Sequence, residues 1–238
     1  METYQNVNGN SGIAGYKIGD TCIEVEFADT ESVYRYSYES AGRINAYGER
    51  RGILVEHYII SSGLREIIEG TAITKDFTHI YASSFYYNEH GEPCWPAQVI
   101  NYTNKTQFLF RIEKGILDIN DNAVNDHFAE GELRVPFRNI VYIGDSATDI
   151  PCMRLVNSLG GHSVGVYDLE NTASKDTVRR MIRDERIRYY VPADYTKGSE
   201  MDTLMHQIID KTAAYEVLEE KHLRDRKEAI IQHMEGQP

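Results

Sequence analysis

The chain is poor in cysteine, in positive charge and in long apolar runs. Three cysteines stand among 238 residues, Cys22, Cys94 and Cys152, far apart and with no C-x-x-C pair. An odd, scattered set argues against a disulfide frame or a structural zinc site and suits a reducing compartment. Lys and Arg number 25 against 37 Asp and Glu, a formal charge of -12. Affinity for nucleic acid comes from clustered cations on a phosphate backbone, so this balance argues against nucleic acid as the partner. It argues equally against an anionic membrane surface. No run of about 18 apolar residues occurs, and "METYQNVNGN" has no apolar signal core. The expectation is a cytoplasmic protein with no membrane partner. A small phosphorylated ligand stays possible, because one lysine or bound cation can reverse the field inside a single pocket.

What is present is enough apolar residue, 41%, for a sizeable core in one large domain or a domain plus a small module. No internal repeat or low-complexity tract is visible. The pattern changes near Gly42. Before it, Ile23, Val25 and Phe27 alternate with Glu24 and Glu26, and Tyr34, Tyr36 and Tyr38 share a face after a polar turn. That period of two predicts a half-buried antiparallel hairpin. From Arg43 onward the pattern predicts an α/β domain. Its strands are placed at 55–60, 78–87, 138–143, 162–167 and 188–193. A last helix is placed from Ser199 to about His233, opened by a Ser199/Asp202 capping box and carrying Leu204, Met205, Ile208 and Ile209 as a core-facing stripe.

Three places carry chemistry. In "IVYIGDSATDIPCM", Asp145 ends an apolar strand and Asp149 follows one turn later, with Pro151 at a helix start. Ligands of open parallel sheets sit at the carboxyl ends of strands, and two carboxylates there suit a hard cation such as Mg²⁺. The alternative is a helix cap and a solvated loop. In "YIISSGLREIIEG", Ser61, Ser62 and Gly63 follow a strand and are expected to open a helix, which would converge N–H groups on an anion. An ordinary N-cap reads the same way. Lys105, in "INYTNKTQFLFRI", is either a solvated surface charge or, if the fold brings it to the other two, part of their site.

In this order, Ser61, Lys105 and the G-D-x-x-x-D of Asp145 and Asp149 resemble the second, third and fourth motifs of the haloacid dehalogenase superfamily, HAD, of phosphohydrolases. The likeness is to its phosphoserine-phosphatase-like members and runs from about Ala46 to the C-terminal helix. It implies a Rossmannoid parallel sheet, an incomplete one here, and Mg²⁺-dependent hydrolysis of a small phosphomonoester. Ser61 would then bond the phosphoryl oxygens, Lys105 would neutralise charge, Asp145 would bind Mg²⁺ and Asp149 would support it.

That family's first motif, a D-x-D whose first aspartate attacks phosphorus, occurs nowhere in the 238 residues. Asp29, in "VEFADTES", is the nearest candidate nucleophile, but it follows an alternating segment and sits at an expected turn. The stretch from Tyr4 to Gly42 instead resembles the KTSC domain, a short β-rich module. The resulting expectation is a truncated KTSC-like module over 1–42 and a HAD-like domain over 43–238 that lacks its first strand and cap. Its reaction is expected to be impaired. The competing reading is a non-catalytic anion- or partner-binding protein, or the product of a gene rearrangement.

Overall fold

The computed structural model describes residues 2–3, 13–18, 22–27 and 33–235. Strands β1 (Glu2–Thr3), β2 (Ile13–Ile18), β3 (Cys22–Phe27) and β4 (Val33–Ser37) form one antiparallel sheet in chain order. The alternating hairpin is its β3–β4 half, with Ile23 opposite Tyr36 and Val25 opposite Tyr34. Both edges of β3 are taken by β2 and β4. It therefore does not enter the α/β layer as a parallel strand. Helix α1 (Tyr38–Arg50) follows directly and runs unbroken through 42 and 43, where a module boundary was expected.

The rest of the chain alternates strand and helix. Strands β5 (Tyr58–Leu64) and β6 (His79–Tyr87) are parallel neighbours joined through the short helix α2 (Arg65–Glu69), and β7 (Pro93–Gln98) returns antiparallel on β6. Helix α3 (Thr106–Lys114) leads toward β8 (Val141–Gly144). A second, wholly parallel sheet then has the order β10-β9-β8, built from β8, helix α4 (Ile150–Ser158), β9 (His162–Tyr167), helix α5 (Thr172–Arg183) and β10 (Tyr189–Pro192). Helix α6 (Glu200–Glu235) closes the chain. The fold is α/β, with one antiparallel, one mixed and one parallel sheet among the described residues. Among the described residues no helix is long and apolar enough to cross a membrane.

The two sheets pack against a common helix. Phe108 and Ile112 of α3 pack on Tyr81, Tyr58 and Ile60 of the first sheet. Leu109 of the same helix joins Tyr142 of β8 and Cys152, Met153 and Val156 of α4, and Ile60 packs there too. Helices α3 and α4 thus lie side by side over adjacent sheets. On β9, which is buried along its whole length, Tyr167 faces that side, while Val164 and Val166 face Met201, Leu204 and Met205 of α6. At Gly165 a Cβ would stand 2.6 Å from Ile187 Cδ1 and 3.2 Å from Val178 Cγ1, so a larger residue there would require those side chains to shift.

No hydrogen-bond ladder joins β5 to β8 among the described residues. The strand that leads to Ser61 and the strand that leads to Asp145 thus belong to separate sheets and do not pair directly. Ile143 of β8 accordingly stays 40% exposed, while the neighbouring Val164 is fully buried.

The last helix starts as expected. Ser199 Oγ accepts the Asp202 N–H at 3.1 Å, and Asp202 Oδ2 accepts the Gly198 N–H at 2.8 Å. Ile208 and Ile209 are buried. Its packing on α1 is polar as well as apolar: Tyr47 stacks on His206 at 3.9 Å and donates to Asp210 Oδ1 at 2.8 Å.

Candidate functional site

Helix α4 follows the parallel strand β8 and so has its amino end at the carboxyl edge of that sheet, where the start of α3 is packed beside it and two motif residues meet. Lys105 is the residue before α3 and Asp149 the residue before α4. Lys105 Nζ donates to Asp149 Oδ1 at 2.8 Å, and both residues are only 6% exposed. The lysine is thus a buried member of an ion pair and not a solvated surface charge.

Asp149 takes more donors. Tyr142 Oη donates to Oδ1 at 2.8 Å, and Ser146 Oγ donates to Oδ2 at 3.0 Å while lying 2.7 Å from Thr148 Oγ1. Burial first, then the neighbouring Asp149 charge, pushes the Tyr142 hydroxyl far above the ordinary phenol range, so it remains a donor. Burial likewise pushes the Cys152 thiol, one turn into α4, up to about 11. Backbone shape matters at one point. A Cβ on Gly144 would stand 2.8 Å from the Asp149 carboxylate, so only glycine lets the strand end lie against this group. The Asp149 side chain serves this network and makes no cap bond to its own helix.

The other two motif residues stand differently. Asp145 is exposed beside the network. Ser61 lies in an irregular part of β5: Ile60 pairs with Tyr81 and Leu64 with Ser83, so three residues on one strand face one on the other. Ser61 Oγ accepts the Gly63 N–H at 3.0 Å, and Ser83 Oγ donates to the Ser62 carbonyl at 3.1 Å. The expected helix start at Ser61 is corrected by this bulge. Helix α2 begins only at Arg65 and has five residues. Gly63 makes the tight local bond to Ser61 possible without starting a helical turn. Asp29 lies outside the described residues.

Tyr142 and Ser146 were not singled out in the sequence, although both are part of the network. The signal for Tyr142 was its place in "IVYIGD": a tyrosine in a buried strand needs a partner for its hydroxyl, and the nearby carboxylate is Asp149. As metal ligands the carboxylates differ. Asp145 is an exposed residue, whereas Asp149 is buried with both of its carboxylate oxygens accepting hydrogen bonds. Among the described residues no three His, Cys, Asp or Glu side chains converge as a metal-binding set.

No family model matches the chain. It is similar to an uncharacterized protein of Borreliella burgdorferi, 23% identical over 178 residues, which cover 69% of this chain. The match spans 61% of that relative's length.

Proposed function

We propose that the carboxyl edge between β5 and β8 is a binding site for the phosphate group of a small molecule, in a domain of haloacid-dehalogenase-like type. One observation carries the reading: the buried Lys105–Asp149 pair, which joins two separated motifs at the edge where α/β sheets bind ligands. A pair buried for stability alone has little to recommend it, since well-packed apolar residues do as well. Here it holds a lysine in place beside an exposed carboxylate.

The donor set fits Mg²⁺ held through Asp145 alone, the remaining positions coming from phosphate oxygens and water, as is usual for this ion. When bound, Mg²⁺ supplies positive charge to the phosphate oxygens. Asp149 would then orient Lys105 and would not be a ligand. Lys105 would supply positive charge beside the phosphate, and the Ser61 hydroxyl, which accepts the Gly63 N–H, would keep its own proton to donate to a phosphate oxygen. With no D-x-D in the chain, these groups bind and polarise a phosphate but have no assigned atom that attacks it.

Thermal unfolding with MgCl₂ and inorganic phosphate tests this. A ligand specific to the native state stabilises it by mass action, about 2.7 kcal/mol at a hundredfold excess over Kd. The combination should raise the Tm of the wild type and of Asp225→Asn, a surface control on α6, but not that of Asp145→Asn. Equal rises in wild type and Asp145→Asn would refute the assignment.

A further inference from the structure

The opposite pole of the same sheet holds a second arrangement with no part in the site above. Where β8 and β9 begin, a cavity of about 510 Å³ opens between the 3₁₀ turn before β8, the turn after α4, and α6. That volume lies in the range of small-molecule pockets. Phe137 and Leu159 give it apolar walls, and Glu113, Arg138, His162 and Lys211 are its charged or titratable lining, with Tyr215 beside them.

His162 is 1% exposed, and its Nε2 lies 3.3 Å from Lys211 Nζ. An ammonium has three donors and no acceptor, so Nε2 must be the bare nitrogen and the ring proton must sit on Nδ1. Yet Nδ1 is buried without a hydrogen-bond partner. A buried N–H left without an acceptor is rarer and costlier than a bare acceptor in the same place. The imidazole is held in its less favourable tautomer by Lys211. The lysine for its part has only this neutral nitrogen as partner among the described residues, whereas Arg138 is matched by Glu216 at 3.2 Å. Lys211 therefore has no carboxylate at ion-pair distance among the described residues, although Glu113 also lines the cavity, and apolar walls stand beside it.

We propose that this cavity binds a small carboxylate with a flat apolar body, and that binding switches the tautomer of His162. A carboxylate is a stronger acceptor for the Lys211 ammonium than a neutral nitrogen. Once Lys211 turns to it, Nε2 can take the ring proton and donate to the ligand, and Nδ1 becomes a bare acceptor. One carboxylate placed at Lys211, with its apolar body toward Phe137, Leu159 and Tyr215, meets that ammonium.

Benzoate is the probe, followed by ¹⁵N spectra of the protein labelled at histidine. Free protein should show His162 protonated at Nδ1. Benzoate should move that proton to Nε2 saturably, while benzamide, of the same shape but uncharged, should not. Lys211 is exposed, so Lys211→Met should fold, and it should bind at least tenfold more weakly. Asp145→Asn, at the other pole, should respond as the wild type does. A His162 signal unmoved by benzoate would overturn the proposal, as would an equal response to benzamide or an undiminished one in Lys211→Met.

Discussion

Asp149 accepts hydrogen bonds from Lys105, Tyr142 and Ser146, so the two ends of its ion pair are not equivalent. Lys105→Met leaves the carboxylate with two hydroxyl donors. Asp149→Ala leaves a buried ammonium with no counter-charge, the case that costs about 3–5 kcal/mol. Urea unfolding should therefore show Asp149→Ala as the more damaging, and Lys105→Met at about 1.5–3 kcal/mol, the range for one lost charged hydrogen bond. The double variant should be more stable than Asp149→Ala alone. Strictly additive costs would mean that the two side chains do not interact. His162 gives a second prediction at this scale. Burial first, then the charges of Lys211 and Arg188, lower its pKa from 6.5 to about 4. The unfolded chain then takes up a proton that the folded chain refuses, so this contribution to stability is present above pH 6.5 and is lost as pH falls toward 4. Linkage puts the loss at up to about 3 kcal/mol. His162→Gln should flatten that part of the stability–pH curve, and an unchanged slope would place the ring in a wetter setting.

At the scale of elements, legibility followed from how much of each signal was local. β9 was readable at both ends, because "HSVGVY" is a short apolar run between glycines and a polar turn, and it is buried on both faces. The α6 start was readable because Ser199 and Asp202 make their bonds within five residues of each other. β7 was not readable: Pro93 and Pro96 lower strand propensity, and the strand exists only because β6 extends beyond its parallel partner and offers an edge. The bulge at Ser61–Gly63 was missed for a related reason. Ser-Ser-Gly reads equally as a cap or as an irregular strand, and only the pairing with β6 decides. In the candidate site, the residue types at Lys105 and Asp149 were legible, while the Tyr142 bond needed the packing of β8 under α4. The lack of pairing between β5 and β8 makes a prediction of its own. Edge amides without partners exchange with solvent. Hydrogen exchange should find part of Val141–Ile143 fast while Val164–Val166 are strongly protected. Uniform protection across both strands would mean that something pairs with the free edge of β8.

For the whole molecule, the proposed phosphate site would have groups to bind its ligand, but the chain contains no D-x-D to attack it. The β3 segment, which leads toward Asp29, is committed on both edges to an antiparallel sheet of its own. Moving it between β5 and β8 would break two ladders and place the alternating Glu24 and Glu26 in a layer whose parallel strands are apolar, where an unpaired charge is costly. Positioning and electrostatics lower a barrier only for a reaction whose attacking atom is in place. Hydrolysis of p-nitrophenyl phosphate with MgCl₂ should therefore stay at the uncatalysed rate, even where phosphate binding is measurable. Turnover at an ordinary enzymatic rate of about 1 per second or more would contradict this. If that turnover were lost in Asp29→Asn while the Tm held, Asp29 would be the nucleophile and the first sheet would have to rearrange in the working enzyme. If it were kept in Asp29→Asn and lost in Asp145→Asn, the attacking group would lie at the carboxyl edge already described.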